Sequence, residues 1–255
     1  MNQIEEILSL SVGAATLAAG VLAYGSFRPD SNFWGPTYCR AVADLQAVSL
    51  TFDDGPTAGA TEPILQILQD LGVKAAFFVI GQNARRWPDL VRQMDAQGHI
   101  VANHSFDHAH LGLFRGPGYW RDQVNQTDDM IAQIIGKKPA MFRPPIGIRT
   151  NFIFTAAARS GHAVINWSRR GVDGLQTDTA RILRQFEGCQ AGEILLLHDG
   201  IDPQIPRSMH PDRKATIAAI APLVNRVRQR GLEVIPLDKL LGIEPYAAQE
   251  VIGTA

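Results

Sequence analysis

Seven short apolar runs punctuate the chain, and segments with helical spacing separate most of them. This alternation restricts the fold more than any other feature of the sequence. The runs are "AVSLTF", "KAAFFVI", "HIVAN", "AMFR", "AVINWS", "EILLLH" and "LEVIPL". The intervening spacing predicts helices over Glu62 to Leu71, Pro88 to Gln97, Tyr119 to Ile135, Thr150 to Ser160, Thr179 to Glu187 and Pro211 to Arg230. In the second of these, Leu90, Val91 and Met94 share one face, while Arg92, Gln93 and Gln97 can meet water. Gly72, Gly98, Gly161 and Gly231 stand where helices should stop before the next strand. Strands joined by helices imply a parallel sheet, and crossovers of similar length favour closure into an α/β barrel over an open doubly wound sheet. A chain of 255 residues, 45% hydrophobic, is long enough for one such domain. No internal repeat or low-complexity tract interrupts it.

Charge and cysteine content exclude several classes of function. With 24 basic and 25 acidic residues interspersed, the net charge of -1 offers no field for nucleic acid. Cys39 and Cys189 are far apart and lack metal-type spacing, so neither a disulfide framework nor a cysteine zinc site is indicated. Ile7 to Phe27 carries no charged side chain and reads as a membrane anchor, since Glu5 and Glu6 stand where a signal peptide needs basic residues. A peripheral helix packed on the domain is the plainer alternative. Arg28 and Arg40 behind the segment argue for a cytoplasmic domain, although the expected placement is extracytoplasmic, at the cell envelope. The expected organisation is therefore a hydrophobic helix over 1–27, a linker over 28–46, a catalytic domain over 47–241 and a tail over 242–255.

Asp53, Asp54, His104, Arg143, Asp173 and His198 all fall at or just past the ends of apolar runs. In a parallel barrel those ends share one mouth, where active sites are built. Two adjacent carboxylates exceed what a turn before Gly55 requires, but a division of labour would explain both: Asp54 binding a cation and Asp53 moving a proton. His104 and His108, at i and i+4, can present two neutral ring nitrogens to that cation. Together with Asp54 they make a His2Asp set suited to Zn2+ with room for water and substrate, lowering the pKa of that water toward ~7. A histidine bonded to a carbonyl is as good a reading of His198 taken alone, but there it could also protonate a leaving group, with Asp173 accepting its ring N–H. Arg143 could fix Asp53 by a forked hydrogen bond, and the main-chain N–H of Ile146 could donate to an oxyanion. His99, His110, His162 and His210 show no obvious partner.

The order of these motifs resembles the metal-dependent polysaccharide deacetylases with a NodB homology domain, carbohydrate esterase family four. Five blocks carry the likeness: "TFDDG" at Thr51 to Gly55, "HSFDH" at His104 to His108, "RPPIG" at Arg143 to Gly147, "WSRRGVD" at Trp167 to Asp173, and "LLH" at Leu196 to His198. Together they are specific, although each alone is not. The resemblance implies a distorted (β/α)7 barrel of the NodB type. Within it Asp53 would be the base, Asp54, His104 and His108 the ligands of Zn2+ or of Co2+ or Mn2+, and His198 the acid. Arg143 would orient Asp53, Asp173 would tune His198, and Leu196 would line the pocket for the acetyl methyl. Two positions depart from the pattern. Ile146 replaces an aromatic, and Gly174 follows Asp173 where tryptophan is usual, which removes a wall of the cleft and suggests a different substrate or binding mode.

The expected activity is removal of N-acetyl groups from amino sugars of a glycan. An O-acetyl xylan-type esterase and a deformylase of a lipid-linked amino sugar are alternatives using the same machinery. A non-catalytic glycan-binding protein is the rival from another class.

Overall fold

The computed structural model describes residues 3–41 and 45–248, with the side chains of the first helix from residue 11 onward. The last part of the expected tail, residues 249–255, lies outside the described residues.

Each of the seven apolar runs contributes a strand: β2 (Ala47–Asp53), β3 (Ala76–Val79), β4 (Ile100–Asn103), β5 (Met141–Phe142), β6 (Ala163–Ile165), β8 (Ile194–His198) and β9 (Glu233–Val234). Two strands of two residues each join them, β1 (Thr37–Tyr38) and β7 (Arg169–Arg170). Every ladder between them is parallel. The strand order is β1-β6-β5-β4-β3-β2-β8-β7, with β9 also paired to β2.

The parallel α/β sheet is consistent with the expected distorted (β/α)7 type, but no pairing joins β1 to β7 among the described residues, so it forms a half-barrel and not a closed one. Both end strands are too short to carry a closing ladder. β1 also lies inside the stretch expected to be a linker, where it extends the sheet along β6.

The six expected helices form as α2 (Thr61–Asp70), α4 (Pro88–Ala96), α5 (Pro117–Ile135), α6 (Asn151–Arg159), α7 (Thr179–Gln185) and α8 (Lys214–Gln229). Two short ones, α3 (Gly81–Arg86) and α9 (Leu237–Leu241), were not expected. Leu90, Val91 and Met94 are the buried face of α4, as their spacing requires. Gly72, Gly98, Gly161 and Gly231 all have φ between 65° and 81°, the left-handed turn that ends a helix at little cost when no Cβ is present.

Period-two alternation along β2 divides the core. Val48, Leu50 and Phe52 pack among Ile64, Leu68 and Val224 of α2 and α8. The alternate residues face the concave side, where Phe78, Leu196 and Trp167 make a second apolar cluster. Thr51 and Asp53 point into that concavity and meet Arg143 there.

The N-terminal helix α1 (Gln3–Phe27) forms as expected, but no helix among the described residues is long and apolar enough to cross a membrane. The predicted spanning segment is corrected accordingly. Its Ala, Gly and Ser residues, such as Gly13, Ala14, Ala15 and Gly20, dilute the hydrophobicity that a bilayer core demands.

The C-terminal end of this helix is fastened to the domain. Gly25 abuts the Phe33 ring, and Trp34 Nε1 donates to Ser26 Oγ at 3.1 Å. Arg149, buried, donates from Nη1 to the Ser31 carbonyl at 2.5 Å and to Thr37 Oγ1 at 3.1 Å, and from Nη2 to the Arg28 carbonyl. Its own N–H reaches the Ser26 carbonyl at 3.1 Å. Cys39 and Cys189 are both free thiols.

Candidate active site

Strand register assembles the first half of the site. In the β2–β8 ladder Asp53 lies opposite His198 and Thr51 opposite Leu196, so a carboxylate and an imidazole end neighbouring strands side by side. Asp54 follows with φ 71°, a left-handed kink that parts its side chain from that of Asp53. His108, Ile146 and Val172 share this conformation, at φ 54°, 49° and 55°. All four line one cleft of about 300 Å³, with Trp167, Gly174, Leu175 and Leu196 among the other walls. Four strained non-glycine residues on one cavity mark a place where the surrounding structure fixes the backbone for a purpose other than stability.

The expected fork between Arg143 and Asp53 is replaced by a different grip. A single nitrogen, Nη1, donates to Asp53 Oδ1 at 2.6 Å and to Thr51 Oγ1 at 2.9 Å. Nη2 and Nε are turned to the carbonyls of Asn166 (3.1 Å) and Ile165 (3.4 Å). The guanidinium is completely buried, 4.0 Å above the Phe78 ring centroid. One Asp53 oxygen is thereby occupied, and the other, Oδ2, faces His104 Nε2 at 3.7 Å. Burial pushes the Asp53 carboxyl above the usual carboxylate range, with Arg143 and His198 opposing.

Asp54, His104 and His108 converge as expected. Asp54 Oδ1 is 3.6 Å from the Nε2 atoms of both histidines, too long for a hydrogen bond. The three ligand atoms lie within 4.8 Å of one another and all three residues are buried.

The chemistry of the donors fits a divalent cation. His104 Nδ1 must donate to the Arg143 carbonyl, 2.7 Å away, which leaves Nε2 as the lone pair pointing inward. Burial, aided by His108, lowers the His104 pKa to about 3, so the ring is neutral as a ligand must be. His108 is the exception: burial opposes its charge, but Asp54 and Asp202 outweigh that and raise it above the ordinary imidazole value. A cation between the rings and Asp54 would take the place of that proton. The "HSFDH" segment achieves this arrangement as an irregular loop with Ser105 at φ 66°, and not as a helical turn.

The opposite wall carries His198, whose Nδ1 lies 2.8 Å from Asp173 Oδ1. Asp173 is fixed by further donors: the His198 N–H at 3.0 Å, Thr216 Oγ1 at 2.8 Å, and Arg213 on its main-chain carbonyl. Burial opposes ionisation of Asp173, yet His198 draws its pKa below the usual carboxylate range. For His198 itself burial again opposes the charge, while Asp173 prevails and raises the pKa above that of a free imidazole. Leu196 lines the cleft beside Trp167, and Ile146, half exposed, sits at its rim. A Cβ on Gly174 would stand 3.7 Å from His198 Cε1, so this wall is open where a large side chain would cover the ring.

Several polar residues of the site were not foreseen. Asp202 Oδ2 lies 3.0 Å from His108 Nδ1 and 2.5 Å from His110 Nε2, which gives His110 the partner that the sequence did not reveal. Against burial, His108 and His110 hold Asp202 well below the usual carboxylate range. Asn103, Asp128 and His162 form a buried network beneath the His104 loop, with Asn103 Nδ2 2.7 Å and His162 Nε2 3.0 Å from Asp128 Oδ1. The proximity of Asp202 to His198 in "HDGIDP" was the one available hint. His99 and His210 bond only main-chain groups, the Ala75 N–H and the Ile205 carbonyl.

Comparison with known proteins adds an independent finding. The family model described as polysaccharide deacetylase matches residues 42–165. A chitooligosaccharide deacetylase of Bradyrhizobium sp. (strain ANU 289) is 34% identical over 209 residues, covering 78% of this chain and 92% of the relative. A peptidoglycan-N-acetylglucosamine deacetylase of Bacillus cereus is 33% identical over 160 residues, covering 61% of this chain and 57% of the relative. Among solved structures, a family 4 carbohydrate esterase from Streptomyces lividans in complex with acetate superposes with a TM-score of 0.65 at 30% identity. That match covers 74% of this chain and 92% of the esterase.

Proposed function

The chain belongs to the polysaccharide deacetylase family, and from that premise we propose that it hydrolyses N-acetyl groups from the amino sugars of a glycan. One observation carries the proposal: the Asp53–Arg143 pair and the His198–Asp173 pair stand on either side of the Asp54, His104 and His108 donor set in a single cleft. A divalent cation held by those three residues, Zn2+ being the ion best suited to two imidazoles and a carboxylate, would polarise the acyl carbonyl and acidify the attacking water.

The chain's own residues supply the proton transfers. Asp53 accepts the water proton at Oδ2, because Oδ1 is committed to Arg143. The main-chain N–H of Ile146 donates to the developing oxyanion, and Leu196 with Trp167 receives the acetyl methyl and excludes water. His198, held at Nδ1 by Asp173, delivers a proton from Nε2 to the departing amine.

That last step separates an amide substrate from an ester. An amine must be protonated to leave, and a histidine raised above its free pKa is matched to that task. A non-catalytic glycan binder has no use for two charge-paired proton carriers facing one cleft.

The catalytic unit in this reading runs from 47 to 241. Its substrate belongs to the cell envelope, as for the peptidoglycan-acting relative, with the cleft outside the cytoplasm. The open wall at Gly174 suits a bulkier glycan than a tryptophan would admit. Acetate release from N-acetylated chitooligosaccharide and peptidoglycan fragments tests the assignment. Asp53→Asn should retain folding and bound metal while turnover drops at least ~10²-fold; near-wild-type turnover would remove Asp53 from the mechanism.

A further inference from the structure

A second depression, of about 380 Å³, lies among the loops that follow β2, β3 and β8. These three strands are neighbours in the sheet, and the loops after their carboxyl ends also build the rim that carries the catalytic cleft. Thr57, Asn83, Arg86, Trp87, Arg207 and His210 are among its walls, and no wall residue is acidic.

Two guanidinium groups here lack a counter-ion. The Arg86 guanidinium stands 5.2 Å from the centroid of the Trp87 ring, and neither Arg86 nor Arg207 forms an ion pair among the described residues. Both are exposed, in a chain whose 25 acidic residues could have neutralised them. A concave surface with two guanidiniums that no carboxylate pairs, one of them resting on the Trp87 indole, is complementary to a carboxylate carried on a sugar ring, which the arginines can grip.

The depression is mechanically close to the catalytic centre. Asn83 Nδ2 donates to the main-chain carbonyl of Asp54 at 2.7 Å and to that of Ile201 at 3.2 Å, and the Ile201 N–H reaches Thr57 Oγ1 at 3.2 Å. One layer of residues therefore separates this surface from a candidate cation ligand.

We propose that this depression is a subsite for a carboxylate-bearing sugar flanking the acetylated residue, so that the preferred substrate is an acidic glycan. The inference rests on the deacetylase reading for its substrate class, but its binding test does not depend on turnover. The carboxylate has two possible sources, a lactyl ether as in muramic acid or a ring uronate. The probes are therefore an N-acetylglucosamine–N-acetylmuramic acid tetrasaccharide, a hyaluronan tetrasaccharide and neutral chitotetraose.

Binding is measured by calorimetry on the full, Zn2+-loaded chain carrying Asp53→Asn, with and without Arg86→Ala and Arg207→Ala. At least one acidic tetrasaccharide should bind more tightly than chitotetraose, and the arm that does so identifies the source. The two substitutions should weaken that arm about fivefold to thirtyfold and chitotetraose less than twofold. Raising the salt from about 0.05 to 0.5 M should erase the preference. Because both arginines are exposed, the variants should unfold at the same temperature as their parent; Arg→Lys at both positions should restore part of the preference.

Equal weakening of acidic and neutral glycans, no effect on either, or no binding of either acidic probe would overturn the subsite. Failure of the wild-type chain to release acetate from any of the three would count against the deacetylase reading alone, with the binding preference still deciding this one.

Discussion

Arg143 and Asp53 offer a direct measure of how much of this site is held in place electrostatically. Both are buried and joined at 2.6 Å, and the guanidinium's other nitrogens are used on the Asn166 and Ile165 carbonyls. Arg143→Met keeps an apolar stem against Phe78 and Trp167 but strands a buried carboxylate, a loss that typically costs about 3–5 kcal/mol. Asp53→Asn keeps the shape and an acceptor while removing the charge, and should cost about 2 kcal/mol through the weaker hydrogen bond to a charged group. If the two acted independently the double variant would lose about 5–7 kcal/mol. Because it buries no unpaired charge, we expect about 3–4 kcal/mol, a coupling energy of roughly 2 kcal/mol. Urea unfolding with EDTA present gives all four stabilities without a contribution from metal binding. Additivity of the two single losses within about 0.5 kcal/mol would refute the account of Arg143 as the charge partner of Asp53.

Three further outcomes follow from neighbouring residues. Asp202→Asn leaves His108 Nδ1 without its carboxylate and should weaken Zn2+ affinity about 10- to 100-fold in a chelator competition, and the metal-free chain, having lost the charge pairs to His108 and His110, should also melt at a lower temperature. His99, buried with Nδ1 accepting the Ala75 N–H, has its pKa lowered by burial to about 4. Between pH 6.5 and 4 the unfolded chain therefore binds the extra proton, and stability falls as pH falls, by up to about 3 kcal/mol over that window; unfolding curves of His99→Gln should be flatter there. Gly147→Ala puts a Cβ 2.4 Å from the Trp167 ring at φ 70°, so it should perturb tryptophan fluorescence and reduce turnover, whereas Gly174→Ala, in ordinary contact at 3.7 Å, should leave turnover within about twofold.

The sequence revealed whatever had a periodic or a paired signature. The seven apolar runs and six amphipathic stretches were legible because burial writes itself into spacing, and Asp53–Asp54 was legible because a turn does not need two carboxylates. Closure of the sheet was not. It depends on end strands of two residues, Thr37–Tyr38 and Arg169–Arg170, which are too short for any alternation to show. The same holds for the six-residue helix that carries Arg86. Supporting groups were hidden for another reason: Asp202 reaches His110 across 92 positions of chain, and Arg149 reaches Arg28 across 121. Such pairs leave no local pattern. Even for Arg143, whose contact with Asp53 was anticipated, the single-nitrogen grip depends on carbonyls of residues 165 and 166 that only the folded sheet brings near.

The buried guanidinium of Arg149 has a consequence for how the molecule can be steered. It closes on the carbonyls of residues 28 and 31 while the Arg149 main-chain N–H holds that of residue 26, and it stands two positions beyond the turn that bears Ile146 and Gly147. The foot of α1 is thus bolted to the lip of the cavity and does not trail from a slack tether. A load on the base of that helix therefore falls first on the backbone that leads to the Ile146 N–H.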